Sequence, residues 1–397
     1  MKEFVFSLNT QMHFGLDAEC KVGALLKQRG KKKALIVADA FLKGSELLKR
    51  VQQSLTEHGI AYETQADVRP NPTITIVRER GRKAIAAQVD FVIGIGGGSS
   101  VDYAKATAIA AANPSIDVEE FYNGSRKIER ALQVGAIMTI AATGSENNGV
   151  SMVTLDDTPD KVKVSVGSPL LQPVFALMNP ANTYSLPKFQ LAVGVADLMM
   201  HTMERYFTNI DGNELTDQFA EAVLRVAIQK GSVAIRDSHD YDAMSEIMCC
   251  GSFAHNGLTS LGRCLDFSCH QMGNIFGGLY NANHGACVSI LWPVWAEYVY
   301  HTDVSRFARY ARNVWGVSEE DDTLAAQKGI AATKNFFFGT LGIPASLKEL
   351  GIQATEEELM RIANIVTNNG ARKIGVFRPL NNEEVCDIYK KAYTQTK

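Results

Sequence analysis

The chain has 397 residues, 46% of them apolar, and a formal net charge of −3 at pH 7, enough length for a large core in two domains or one large one. The near-neutral balance, with no long basic run, excludes nucleic acid and membranes as expected partners, and no apolar run reaches the ~18 residues of a membrane span. MKEFVFSLNT lacks the apolar region of a signal peptide, and the seven cysteines are scattered without a CxxC pair, so a reducing, cytoplasmic setting is expected.

From the start to about residue 180, short β-rich runs alternate with helical segments. KKALIVAD reads as a buried strand and SELLKRVQQSLTEHG as an amphipathic helix. AYET gives the next strand and TITIVRERGRKAIAAQ the next helix, with Asn71 as its expected cap and Pro72 at its first position. DFVIGI is a third strand, running directly into GGGSS and a helix through Ala112. This alternation predicts an α/β domain over 1–180, with a parallel sheet covered on both faces. From about 181 long helical segments follow, divided by Pro187, Gly212, Gly231 and the region around Pro344. They predict an all-helical domain over 181–397, with the boundary near Asn179-Pro180.

GGGSS at 96–100 follows a strand and opens a helix, an arrangement in which free backbone N–H groups and the positive helix end bind phosphate. It departs from the usual dinucleotide fingerprint, because Ser99 stands where GxGxxG ends in glycine. A tight structural turn would carry the same residues. Asp39 ends the strand ALIVAD, where a carboxylate can accept from ribose hydroxyls and repel a 2′-phosphate, or serve as an ordinary turn residue.

The metal-capable groups lie in the helical half. Asp197 and His201 share one helix face in GVADLMMHTMERYF. His270 and His284 are fourteen positions apart, which as continuous helix would span ~21 Å, too long for two ligands of one ion. The chain must reverse between them, and Gly277, Gly278, Asn281 and Asn283 are residue types that allow it. One carboxylate and three imidazoles can hold a divalent transition metal with a position open for substrate; ordinary polar helix residues are the alternative. Glu204 falls on the face of Asp197 and His201, where it can orient a ligand or stand on a surface patch. His13, His58, His239, His255 and His301 have no partner at metal spacing and are expected to be structural or exposed.

The DxxxH and H-x13-HG patterns, with RPNPT at 69–73, GIGGGSSVDYAKA at 94–106, ATGSE at 142–146 and NPANTYSLP at 179–187, resemble the iron-containing (group III) alcohol dehydrogenases. ATGSE and GSPLLQP look most like the butanol dehydrogenase-type branch. The resemblance implies a Rossmann-like nucleotide-binding domain followed by an all-α domain, the dehydroquinate synthase-like fold, with the active site in the cleft between them. It implies a metal held by Asp197, His201, His270 and His284, ferrous iron first and zinc as an alternative. It implies hydride transfer between a nicotinamide and a small primary alcohol or aldehyde, in a homodimer or higher homo-oligomer.

Along the cofactor the resemblance places Asn71, the loop residues Gly97, Gly98 and Ser99, Asp102 near the ribose-diphosphate, Thr139, Thr143, Asn148 and Lys163. Asp102 is also a first-turn acid of the kind the helix dipole favours, and Lys163 a candidate surface lysine. Many butanol-type relatives carry a Gly/Ser-rich segment at Asp39, so this chain's departure favours NAD(H) over NADP(H). Relatives commonly read HxxxH at the third ligand; here Asn274 takes the second histidine's place, either contacting substrate or cofactor or helping to end the helix before Gly277. Arg263 suggests an anionic aldehyde, with a sulfonate or carboxylate tail, as an alternative substrate; an inter-helix salt bridge is the plainer role. A dehydroquinate synthase-like lyase is a further alternative, but its usual site of one Glu and two His differs from this set.

Overall fold

The computed structural model describes residues 1–141, 144–158 and 161–396. The chain divides into two compact units, Ser7–Leu186 and Pro187–Lys397 together with Met1–Phe6.

The strands of the first unit are β1 (Gln11–Phe14), β2 (Lys33–Asp39), β3 (Ala61–Val68), β4 (Phe91–Gly96), β5 (Gln133–Met138), β6 (Val150–Thr154), β7 (Lys163–Gly167) and β8 (Phe175–Met178). Six of them form one sheet in the order β1-β8-β5-β4-β2-β3, parallel throughout. β6 and β7 pair antiparallel as a separate ribbon. The helices are α1 (Val22–Gln28), α2 (Glu46–Glu57), α3 (Ile74–Ala86), α4 (Gly98–Ala112) and the short α5 (Glu119–Tyr122).

A parallel strand covered on both faces must be apolar on both, and β4 is buried at every position. The period-2 alternation sorts its neighbour β2 into two cores. Ala34, Ile36 and Ala38 join Leu26 of α1 with Val51 and Leu55 of α2, while Leu35 and Val37 join Val77 of α3 with Ala104 and Ala108 of α4.

The helix expected to start at Asn71-Pro72 starts instead at Ile74, and Asn71 lies in the left-handed region at φ 59°. Proline disfavours helical geometry in the residue before it. Thr73 is held extended, bridged to Thr154 and with its N–H on the Tyr103 hydroxyl at 2.9 Å. The strand seen in sequence as AYET continues to Val68 because β2 pairs along its whole length.

The second unit is helical: α6 (Lys188–Tyr206), α7 (Glu214–Ala234), α8 (Tyr241–His255), α9 (Ser268–Tyr280), α10 (His284–Val299), α11 (Val304–Trp315), α12 (Asp322–Asn335), α13 (Glu356–Val366) and α14 (Asn382–Thr394). α6 is buried continuously from Leu191 to Tyr206, the signature of a helix surrounded by others. Beyond its end, Phe207 packs with Trp292, Trp295, Phe307 and Tyr310 in an aromatic core. The N-terminal segment joins this unit through the Lys2 N–H, which donates to the Gly262 carbonyl at 2.9 Å.

Candidate metal centre and dinucleotide loop

α6 presents Asp197 and His201 one turn apart, α9 presents His270, and α10 begins with His284. The expected reversal lies between α9 and α10, but Gly277 and Gly278 stay inside α9. Asn281 alone turns the chain in the left-handed region at φ 51°, and Asn283 caps α10 by accepting the Ala286 N–H at 3.1 Å.

The His201 Nε2 lies 3.7 Å from Asp197 Oδ2; the Nε2 atoms of His270 and His284 lie 3.8 and 3.7 Å from Oδ1. These separations are too long for hydrogen bonds and near the roughly 3–3.5 Å between ligands sharing one ion with bonds of about 2.1 Å. Asp197, His201 and His270 are buried, whereas the His284 side chain is 26% exposed. Burial, reinforced by His255, His270, Arg205 and His284, holds the His201 imidazole well below the ordinary histidine range, in its neutral, ligand-competent form.

Glu204 sets the orientation of His270. Its Oε2 accepts from Nδ1, and its Oε1 accepts the backbone N–H groups of Cys269 at 2.6 Å and His270 at 3.2 Å. With the proton on Nδ1, Nε2 carries the lone pair. That nitrogen is buried and makes no hydrogen bond among the described residues. A buried acceptor left this way is costly unless a cation occupies the space before it, so the donor set fits a divalent metal.

The surroundings hold residues the spacing rules did not select. His255, without a partner at metal spacing in the sequence, ends α8 with its ring stacked on His201 at 4.1 Å. Arg205 is buried against His255 Nδ1. The polar pair Glu204-Arg205 in an otherwise apolar helix is a sequence signal for Arg205, and His255 has none. Asn274 sits one turn after His270 with its Oδ1 buried and without a hydrogen bond among the described residues; α9 runs on to Tyr280, so Asn274 does not help to end it. Arg263 is ion-paired to Asp217 and donates to the Arg205 carbonyl at 3.2 Å, an inter-element contact.

In the first unit, the glycine loop leaves β4 and opens α4, whose N-cap is Gly97 without a side-chain cap. The N–H groups of Gly98 and Ser99, at the helix start, have no acceptor within the helix. Gly96 adopts φ +139°, and a Cβ there would lie 2.1 Å from Asp39 Oδ2. Asp39 Oδ2 accepts the Gly97 N–H at 3.0 Å and Oδ1 accepts the Ser100 hydroxyl at 2.8 Å. Burial raises the Asp39 pKa against these two bonds.

Asp102 and Asn148 turn inward. Asp102 Oδ1 accepts the Ser145 hydroxyl at 2.8 Å, while Asn148 donates to the Gly144 carbonyl at 2.8 Å and accepts the Val150 N–H at 2.8 Å. Between them the buried Lys105 donates to the Ser145 carbonyl at 2.7 Å, Asn148 Oδ1 at 3.2 Å and the Val150 carbonyl at 2.8 Å. Burial pulls its pKa down to about 8 against the attraction of Asp102 and Glu146. The N–H of Thr139 donates to the Gly96 carbonyl at 3.0 Å, and Lys163 opens β7, its charge felt by Asp102. Thr143 lies outside the described residues.

Residues 9–180 match the family described as iron-containing alcohol dehydrogenase, and residues 191–393 match the C-terminal part of the Fe-containing alcohol dehydrogenase family. The chain is 34% identical over 394 residues to the NADH-dependent butanol dehydrogenase A of Clostridium acetobutylicum, covering 99% of this chain and 100% of that one. It is 30% identical over 329 residues to the NADPH-dependent aldehyde reductase YqhD of Escherichia coli, covering 82% of each. Among solved structures, the NADH-dependent butanol dehydrogenase A of Thermotoga maritima superposes with a TM-score of 0.93 at 32% identity, covering 99% of both chains. The chain belongs to the iron-containing alcohol dehydrogenase family, oxidoreductases acting on CH–OH groups.

Proposed function

We propose that the protein interconverts a small primary alcohol and its aldehyde with NAD(H), using one divalent metal, iron first, held by Asp197, His201, His270 and His284. The observation that carries this is the meeting of three imidazole Nε2 atoms on one buried carboxylate, each 3.7 to 3.8 Å from an oxygen. When bound, such a metal supplies a Lewis acid for the alcohol or aldehyde oxygen, and the nicotinamide supplies or accepts the hydride. Asp197 offsets part of the metal's charge, and Glu204 keeps the His270 lone pair directed inward. Gly98 and Ser99 supply free backbone N–H groups for a diphosphate, while the Gly97 N–H is taken by Asp39 and Gly97 contributes a loop without a side chain. Asn274 donates and accepts hydrogen bonds toward substrate or cofactor and exchanges no proton itself.

NADH is favoured because Asp39 keeps a carboxylate in the glycine loop, bonded to Gly97 and Ser100, where a 2′-phosphate nearby would be repelled. The butanol dehydrogenase relatives are named as NADH-dependent. The Arg263–Asp217 pair removes the motive for an anionic substrate tail. A homo-oligomer suits the exposed Phe14 of the edge strand β1 and the exposed Leu16 that follows it. The free cysteines suit a reducing cytoplasm.

The test is an assay of NADH formation over a panel of primary alcohols, and of NADH consumption with the corresponding aldehydes. Turnover that requires added ferrous iron or zinc is expected. A metal-loaded protein that oxidises none of the alcohols and reduces none of the aldehydes would overturn the proposal.

A further inference from the structure

The imidazoles of His270 and His201 are held in different ways. His270 is fixed by its Nδ1 contact with Glu204. The Nδ1 of His201 is buried and makes no hydrogen bond among the described residues. A ligand imidazole ordinarily gives that N–H to a carboxylate, a carbonyl or water, and so fixes its plane.

In that role His201 has a second ring. The His255 imidazole lies over it at 4.1 Å between centroids with planes 20° apart, whereas His270 and Phe267 meet it at 30° and 59°. His255 comes from the far end of α8, and Arg205 holds it. A guanidinium can only donate, so His255 Nδ1 accepts and the ring hydrogen sits on Nε2. Arg205 is itself anchored to the His201 carbonyl at 2.5 Å and lies 4.9 Å from the centre of the Phe267 ring. Adjacent residues of α6 thus serve different imidazoles: Glu204 contacts His270 directly, and Arg205 reaches His201 through His255.

We propose that His255, locked by Arg205, is a positioning residue that fixes the plane of His201 by ring stacking, in place of the hydrogen bond that His270 has. The inference rests on the reading that His201 is a metal ligand. A stacked neutral ring holds the plane without adding a third carboxylate to Asp197 and Glu204, and would leave a bound metal more electrophilic than a further anion would.

The test uses the full-length protein loaded with Co2+, read by chelator competition and by the visible absorption of the bound ion. His255→Ala is expected to weaken Co2+ binding about 10-fold or more and to shift the absorption bands. His255→Leu, which fills the volume without a flat ring, should behave alike and guards against a simple loss of fold. His255→Phe, which restores a flat ring but not the acceptor for Arg205, should recover part of the affinity and move the bands back toward their original positions. Unchanged binding and spectra in His255→Ala and His255→Leu would overturn the inference alone, as would a Phe variant no better than the Ala variant. An unaltered protein that fails to bind one Co2+ per chain would overturn the ligand reading with it.

Discussion

Asp39 and Asn274 are the residues at which this chain's chemistry is most individual. Asp39 bonds both the Gly97 N–H and the Ser100 hydroxyl, so its charge belongs to the glycine loop rather than to a turn beyond it. In the proposed cofactor site, Asp39→Gly removes a like charge that would repel a 2′-phosphate. The unaltered enzyme should prefer NADH by ~10- to 1,000-fold in kcat/KM, and the variant should lose most of that preference. Equal efficiency with both cofactors before mutation would show that the carboxylate is not sensed there. For Asn274, whose buried Oδ1 has no hydrogen bond among the described residues, substitution by Ala should chiefly raise KM. Because an amide does not titrate, the pH–rate profile should keep its ionisations. A near-neutral group that disappears in Asn274→Ala would contradict this.

At the scale of elements, the buried Lys105 of α4 ties the residues after β5 to the start of β6. Its pKa falls to about 8 in the folded chain, below the ~10.4 of an unfolded lysine. Between those values the unfolded chain binds the proton that the folded chain has released. On this group's account, stability therefore rises with pH through that window. Lys105→Met should remove that rise and also lower stability at neutral pH, since several oxygens lose their donor. Urea unfolding of both proteins across the window checks the sign; a Met variant with the same slope would contradict it.

The elements also show where the sequence was legible. The strand–helix alternation through α4 was plain because buried parallel strands leave continuous apolar runs. Pairing at helical spacing was plain for Asp197 and His201. The reversal before His284 was legible, but not the residue that makes it, because one left-handed Asn281 suffices and leaves Gly277 and Gly278 helical. The start of α3 was misplaced because the bridge of Thr73 to Thr154 is a long-range contact. His255 was invisible for the same reason: ring stacking between α6 and α8 obeys no spacing along the chain. Asp102 and Asn148 sit beside the motif residues in sequence, and only the structure shows their side chains bonded inward to Ser145, Gly144 and Val150.

At the scale of the whole molecule, the proposed function makes turnover depend on a metal held by the carboxylate and three imidazoles of the helical unit. The most direct test is elemental analysis of the purified protein and of His270→Ala, alongside NADH formation from a primary alcohol. One divalent metal per chain is expected in the unaltered protein. In the variant, metal content and turnover should both fall sharply while circular dichroism stays unchanged. Full activity in metal-free protein, or a variant that keeps both metal and turnover, would contradict the account.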